Sequence, residues 1–228
     1  MACESTQDKA KKLQANAAAN AKAQVPLTIP TPDKDIKVLD ITVLEDKVNE
    51  RTAVVVKLKN EGKEAAVSPP ILVDMIGPDG KSVGKNDAFG LDASLQHVPL
   101  IEPGETIEWV NDQLLPTSPP KTAKITVGPP DTTGPPKNSV PEVLVTDPKV
   151  NADPSGTATI GKATNKSKID QTALSIYVIA HSGNKVVAAG RGVIKDLKAG
   201  KSFNYNIFPV GDVNGAQLSV TAFPTTFQ

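Results

Sequence analysis

The chain has 228 residues, enough for one large domain or for two of about 100 residues each with a self-supporting core. Lys plus Arg and Asp plus Glu are balanced at 25 each, so no net field draws the chain toward nucleic acid. A single cysteine excludes an internal disulfide and every multi-cysteine zinc or redox motif, and His97 and His181 are the whole supply of imidazole.

The chain opens "MACESTQDKAKKLQ", where Cys3 is followed by Glu4, Ser5, Thr6, Gln7, Asp8 and Lys9, and no apolar core can form around it. "Ala2-Cys3" resembles the end of a bacterial lipobox whose upstream apolar half is missing. That resemblance implies a lipoprotein with Cys3 as the lipid attachment residue, held in the extracytoplasmic cell envelope by several acyl chains. An incidental exposed thiol is the other reading, and both stay open. From Ser5 to Gln24 the sequence is rich in Ala, Lys, Gln and Asn, with Leu13 its one large apolar residue. This predicts a helix without an apolar face. Prolines at 26, 30 and 32 in "VPLTIPTPDK" then forbid helix and predict an extended spacer. Residues 1–33 are therefore expected to be a polar, partly helical tether.

From residue 34 onward, short apolar runs are separated by Gly, Pro, Asn and Asp, the pattern of an all-β chain. "IKVLDITVL", "TAVVVKLKN", "PILVDMIG" and "KTAKITVG" mark strands in the first half. "PEVLVTDPKV", "TATIGKATN", "ALSIYVIAH", "NKVVAAGRGV", "SFNYNIF" and "AQLSVTAF" mark them in the second. No long amphipathic helix interrupts them, which excludes βαβ units. The halves align with each other: Asn60 meets Asn165, the turn Asp79-Gly80-Lys81 meets Gly183-Asn184-Lys185, Gly104 meets Gly200 and Trp109 meets Tyr205. Two copies of one plan predict two tandem immunoglobulin-like β-sandwiches, at 34–128 and 140–228. Between them, the proline-rich segment 129–139 is expected to be a stiff connector that leaves little interface.

This order of strand, K-x-x-N turn, long strand, hairpin and Pro/Ala-Gly turn resembles the FxLYD-type immunoglobulin-like domains of bacterial and archaeal envelope proteins. In the second copy the family's signature falls on Leu174, Ile176, Tyr177 and Val178, so its aromatic start and terminal Asp are both absent. The first copy, with Ile71, Val73, Asp74 and Met75, departs further. The resemblance implies a membrane-anchored, non-catalytic module that works by protein binding or spacing, with no cofactor.

The search for chemistry agrees with that expectation. Neither histidine is flanked by a nucleophile motif, so no hydrolase triad is indicated. Asp147, Asn151 and Asp153 offer oxygens near Asp-Pro turns, and Asp87 and Asp92 lie in "GKNDAFGLD", but neither set has EF-hand spacing and no metal is expected. One departure from the internal symmetry remains. Gly80 and Gly104 are 24 positions apart, Gly183 and Gly200 only 17, and the surplus falls in "KNDAFGLDASLQHVPL". Its Phe89, Leu91, Leu95 and His97 are the candidate partner-binding residues; the same residues could instead cover the open end of their own sandwich. The expected function is a lipid-anchored envelope adaptor or binding module for a protein partner or membrane complex. The alternative is a structural accessory subunit packed on a larger membrane or surface complex.

Overall fold

The computed structural model of the chain describes residues 26–88, 91–135, 139–153 and 156–227. These residues are all-β and antiparallel, with the sheets packed in the manner of a β-sandwich. The first half contains β1 (Ile36–Asp46), β2 (Arg51–Asn60), β3 (Ala66–Val67), β4 (Ile71–Ile76), β5 (Ser82–Lys85), β6 (Leu100–Ile101), β7 (Thr106–Leu114), β8 (Thr122–Val127) and β9 (Thr132–Thr133). The second half contains β10 (Val143–Asp153), β11 (Gly156–Asn165), β12 (Gln171–Ser182), β13 (Lys185–Leu197), β14 (Ser202–Ile207), β15 (Val210–Gly211) and β16 (Gln217–Phe223).

Strand order repeats between the halves. The first pairs sheets β1-β2-β7 and β5-β4-β8; the second pairs β10-β11-β14 with a sheet containing β13-β12-β16. The residues aligned from sequence occupy equivalent places. Asn60 ends β2, and its buried amide nitrogen donates to the carbonyls of Glu64 (2.8 Å) and Ile101 (3.0 Å). Asn165 ends β11 and donates in the same way to Ile169 (2.8 Å) and Leu197 (3.1 Å). Each side-chain oxygen accepts a backbone N–H two residues on, from Gly62 and Ser167. An Asx turn is thus tied to the far crossover in both copies, and backbone carbonyls that would otherwise be buried without donors are satisfied. Gly80 and Gly183 take positive φ in the two hairpins, which is why glycine stands there. Trp109 and Tyr205 are both buried, as their repeated positions predict.

Three expectations need correction. The proline-rich segment 26–33 does not stand off from the first half: the Leu27 N–H donates to the Asp87 carbonyl (3.0 Å) and the Asp33 N–H to Val127 (2.8 Å). The connector is likewise engaged, because Thr132 and Thr133 pair with Val67 and Ala66, and the Gly134 N–H donates to Ala65 (2.7 Å). Proline forbids helix but not edge pairing, so the connector adds the short strand β9 to the sheet beside it, while 26–33 is irregular chain hydrogen-bonded to the first half. Asp147-Pro148 is not a turn start but a bulge inside β10, with Asp147 at φ 56° and the register slipping between Thr146 and Lys149. The helical part of the expected tether lies outside the described residues.

The core also departs from two separate cores with little between them. Alternation sends Val54, Val56 and Leu58 of β2 to one side of their sheet, facing Ile71, Val73 and Met75 of β4, while Val55 and its cross-strand partner Val110 project to the other. That second side is covered by Tyr177, Ile179, Ala189 and Phe223 of the second half, which belong to the same buried apolar cluster. On the reverse side of β12, Leu174, Ile176 and Val178 fill a smaller cluster with Tyr205 and Ile207. Strand β2 from Thr52 to Val56 and strand β12 from Leu174 to Ala180 are therefore buried on both faces. At roughly 1.5–3 kcal/mol for each large apolar side chain removed from water, this docking outweighs the orientational freedom that a short connector leaves to two halves.

Candidate functional site

The contact between the halves is fastened by a polar clasp. Arg191, on β13 directly across from Tyr177, has a side chain only 3% exposed. Its guanidinium donates to the Asp92 carboxylate (2.8 Å) and to the Ser94 hydroxyl, both in the surplus loop of the first half. The Arg191 backbone N–H donates to the Asp112 carboxylate on β7 (2.9 Å). Arg51, near that carboxylate at 4.0 Å, donates to the Phe208 carbonyl of the second half (2.8 Å). On the other side of the contact, the His181 ring nitrogen and a Glu108 carboxylate oxygen are 3.3 Å apart.

The surplus loop is built to present this grip. Buried Asn86 accepts from the Val73 N–H (2.7 Å) and donates to the carbonyls of Ile71 (2.9 Å) and Leu95 (2.7 Å). Gln96 donates to the Asn86 and Ala88 carbonyls, and Asn111 to Leu95. Asp92 caps a single 3-10 turn, Ala93–Leu95, by accepting the Ser94 N–H (3.0 Å). Desolvation raises the Asp92 pKa, but bonds from Ser94 and Arg191 outweigh it, and the carboxyl lies below its ordinary value. At Asp112 burial dominates over Arg191 and Arg51, and the pKa is raised. Burial also raises the Tyr177 hydroxyl, partly offset by Arg191 and Ser175.

Next to the clasp lies a cleft of about 350 Å³. The first half contributes Val67, Asp92, Ser94, His97, Val98 and Pro99 to it; the second contributes Thr172, Ala173, Ser175 and Thr225. Ser68, three residues before β4, and Ala173, near the start of β12, both line it and both have φ near +50°. Ser175 is fully buried, and its hydroxyl completes no hydrogen bond within the protein. Tyr177 Oη, Arg191 Nε and Asp112 Oδ1 are likewise buried without a partner, so a contiguous set of unsatisfied polar atoms follows the junction. The Ser175 hydroxyl nevertheless lies near enough to that of Tyr177 to act on it as a hydrogen-bond partner.

The candidate residues divide accordingly. His97 lines the cleft; its Nδ1 is 3.2 Å from the Ala93 carbonyl, and its own carbonyl accepts the Trp109 indole N–H (3.1 Å). Leu95 is only 2% exposed and packs beneath the loop, which removes it from the contact residues; here the loop does cover its own sandwich. Leu91 is half-buried. Phe89 and Cys3 lie outside the described residues. Asp92, an oxygen donor from sequence, serves instead as cap and clasp, while Arg191, Asp112, Ser94 and Ser175 were not singled out from sequence. Among the described residues no group of three or more His, Cys, Asp or Glu is placed to hold a metal ion, and no helix is long and apolar enough to cross a membrane.

No family model matches the chain, and no curated protein matches it. Among solved structures, the chain is similar to the crystal structure of red sea bream transglutaminase at 11% identity and a TM-score of 0.21. The match covers 100% of this chain and 34% of that one, so the chain spans about a third of the length of that structure. At this degree of likeness nothing is carried over from the transglutaminase.

Proposed function

We propose that the chain is a non-catalytic adaptor or binding module of the bacterial cell envelope, presenting two immunoglobulin-like β-sandwiches and attached to the membrane by lipid at Cys3. The observation that carries this reading is the docked pair itself. Two copies of one strand plan are clasped face to face, and the clasp borders a cleft to which both contribute. Such a unit offers a surface that neither copy has alone, which is the usual gain from joining two binding domains rigidly.

The use of the imidazoles supports it further. His97 meets the Ala93 carbonyl and His181 meets Glu108, so both rings are engaged in holding loops and halves together. A nucleophile–base pair requires a ring nitrogen directed at a hydroxyl or thiol. The test is isolation of the native protein from detergent-solubilised envelopes, with mass spectrometry of its N-terminal peptide. The proposal expects a diacylglyceryl-modified Cys3 and a co-purifying protein that is retained by the wild-type chain and lost when the halves are unclasped by Arg191→Ala. An unmodified Cys3 would remove the anchor, and a co-purifying protein indifferent to the clasp would remove the joint surface.

A further inference from the structure

We propose that two copies of this chain pair edge to edge through β14, antiparallel, about a two-fold axis at Asn204. The inference goes beyond the binding function proposed above and does not depend on it.

β14 ends its sheet, whose order is β10-β11-β14. Its register with β11 fixes which backbone groups are already used. The Asn165 N–H donates to the Lys201 carbonyl (2.9 Å), so along the antiparallel ladder that continues from this pair Phe203, Tyr205 and Ile207 bond to β11. Ser202, Asn204 and Asn206 therefore direct their N–H and C=O groups to the open edge. Ser202, Phe203, Asn204 and Asn206 are all exposed, so neither half covers that edge.

An open edge is ordinarily blunted by charge, proline or a bulge. The longer edge strands show these devices. β10 carries the bulge at Asp147-Pro148 and Lys149; β1 carries Lys37, Asp40 and a register slip after Val38; β7 carries Glu108 and Asp112. β16 is uncharged, but its Ser219 and Thr221 lie in a cleft against Lys57 and Ile107 of the first half. β14 has no charge, no proline and no bulge.

The strand is also complementary to itself, which selects a second copy as the occupant. With Asn204 on the axis, Asn204 meets Asn204 of the second copy, Ser202 meets Asn206, and Phe203 meets Tyr205. The three residues with outward backbone groups thus exchange hydrogen bonds with one another. No like charges are opposed, because Lys201, the charged residue adjoining the strand, meets Ile207 of the second copy. Phe203, 47% exposed in the single chain, comes to lie across from an aromatic ring in the closer, non-hydrogen-bonded type of pair. The two-fold axis closes the contact, so the product is a dimer and not a fibre.

The experiment is sedimentation equilibrium of the full chain over a concentration series. A reversible dimer is expected, with a Kd of about 10–100 μM for so small a contact. Asn204→Lys and Asn204→Glu should each weaken self-association at least about tenfold, since like charges then face each other on the axis. Their melting temperatures should match wild type, because the side chain is exposed and the bonds to β11 are untouched. An equimolar mixture of the two variants should recover a heterodimer, as position 204 opposes itself only in this register. Amide hydrogen exchange on the wild-type chain gives a readout that needs no variant. Exchange at Ser202, Asn204 and Asn206 should slow as concentration rises, while Phe203, Tyr205 and Ile207 stay protected throughout. A chain that remains monomeric up to about 1 mM would overturn the proposal. So would a dimer that neither variant weakens, a mixture that associates no better than its components, or exchange at the three outward amides that ignores concentration.

Discussion

Replacing Arg191 by alanine should loosen the two halves without unfolding either. The guanidinium makes charge-assisted hydrogen bonds to Asp92 and Ser94, worth roughly 1.5–3 kcal/mol for a group of this kind. Breaking a fully buried pair costs about 3–5 kcal/mol, because the remaining charge is stranded. That upper range does not apply, since the Asp92 side chain is 51% exposed and regains water when its partner leaves. Asp112 keeps its bond from the residue-191 backbone N–H and its proximity to Arg51. Adding the buried aliphatic stem gives an expected loss of about 2–3 kcal/mol. Trp109, the single tryptophan, is buried in the first half, so its fluorescence follows that half while far-ultraviolet circular dichroism follows both. In urea the wild type should give coincident transitions by the two probes, and Arg191→Ala should separate them and lower the earlier midpoint. Coincident transitions in the variant, with stability within about 0.5 kcal/mol of wild type, would refute the clasp.

The surplus loop should distinguish its buried and half-buried residues: Leu95→Ala is expected to cost about 2–5 kcal/mol by urea unfolding, whereas Leu91→Ser should cost markedly less. Asn60→Ala and Asn165→Ala should each destabilise by about 2–4 kcal/mol, since either strands two carbonyl acceptors, and similar losses from the two would report their equivalence. Asp112 gives a pH signature. Its folded pKa is raised, so the folded chain holds more protons than the unfolded one between the two values, and stability from this group falls as pH rises through that window. Asp112→Asn should remove this descending component from the Tm-versus-pH curve; an unchanged curve would mean that the carboxyl is not desolvated.

The strands and turns were legible because their signals are local. Period-two apolar runs, Gly80 and Gly183 in hairpins, and the Asx turns of Asn60 and Asn165 are each written in a few consecutive residues, although the two asparagines also reach Ile101 and Leu197. The docking left a subtler mark. "TAVVVKLKN" and "ALSIYVIAH" are nearly continuous apolar runs where a strand with one wet face would alternate, and strands buried on both faces read this way. The side chains of Val55, Tyr177 and Ile179 were thus a visible surplus, too large for one sandwich interior. The clasp had no such mark, because Arg191 and Asp92 are separated by 99 positions and a single long-range ion pair imposes no pattern. Compositional reasoning also misjudged the proline-rich segments: proline excludes helix, but Thr132 and Thr133 between prolines remain free to pair as β9.

Residual dipolar couplings measured on the whole chain test most directly whether the halves form one rigid unit. Amides of 36–127 and of 143–223 should fit a single alignment tensor with the orientation seen here, and Arg191→Ala should resolve it into two tensors of unequal magnitude. Two independent tensors in the wild-type chain would contradict the docked arrangement, and with it the cleft and the joint surface on which the proposed function rests.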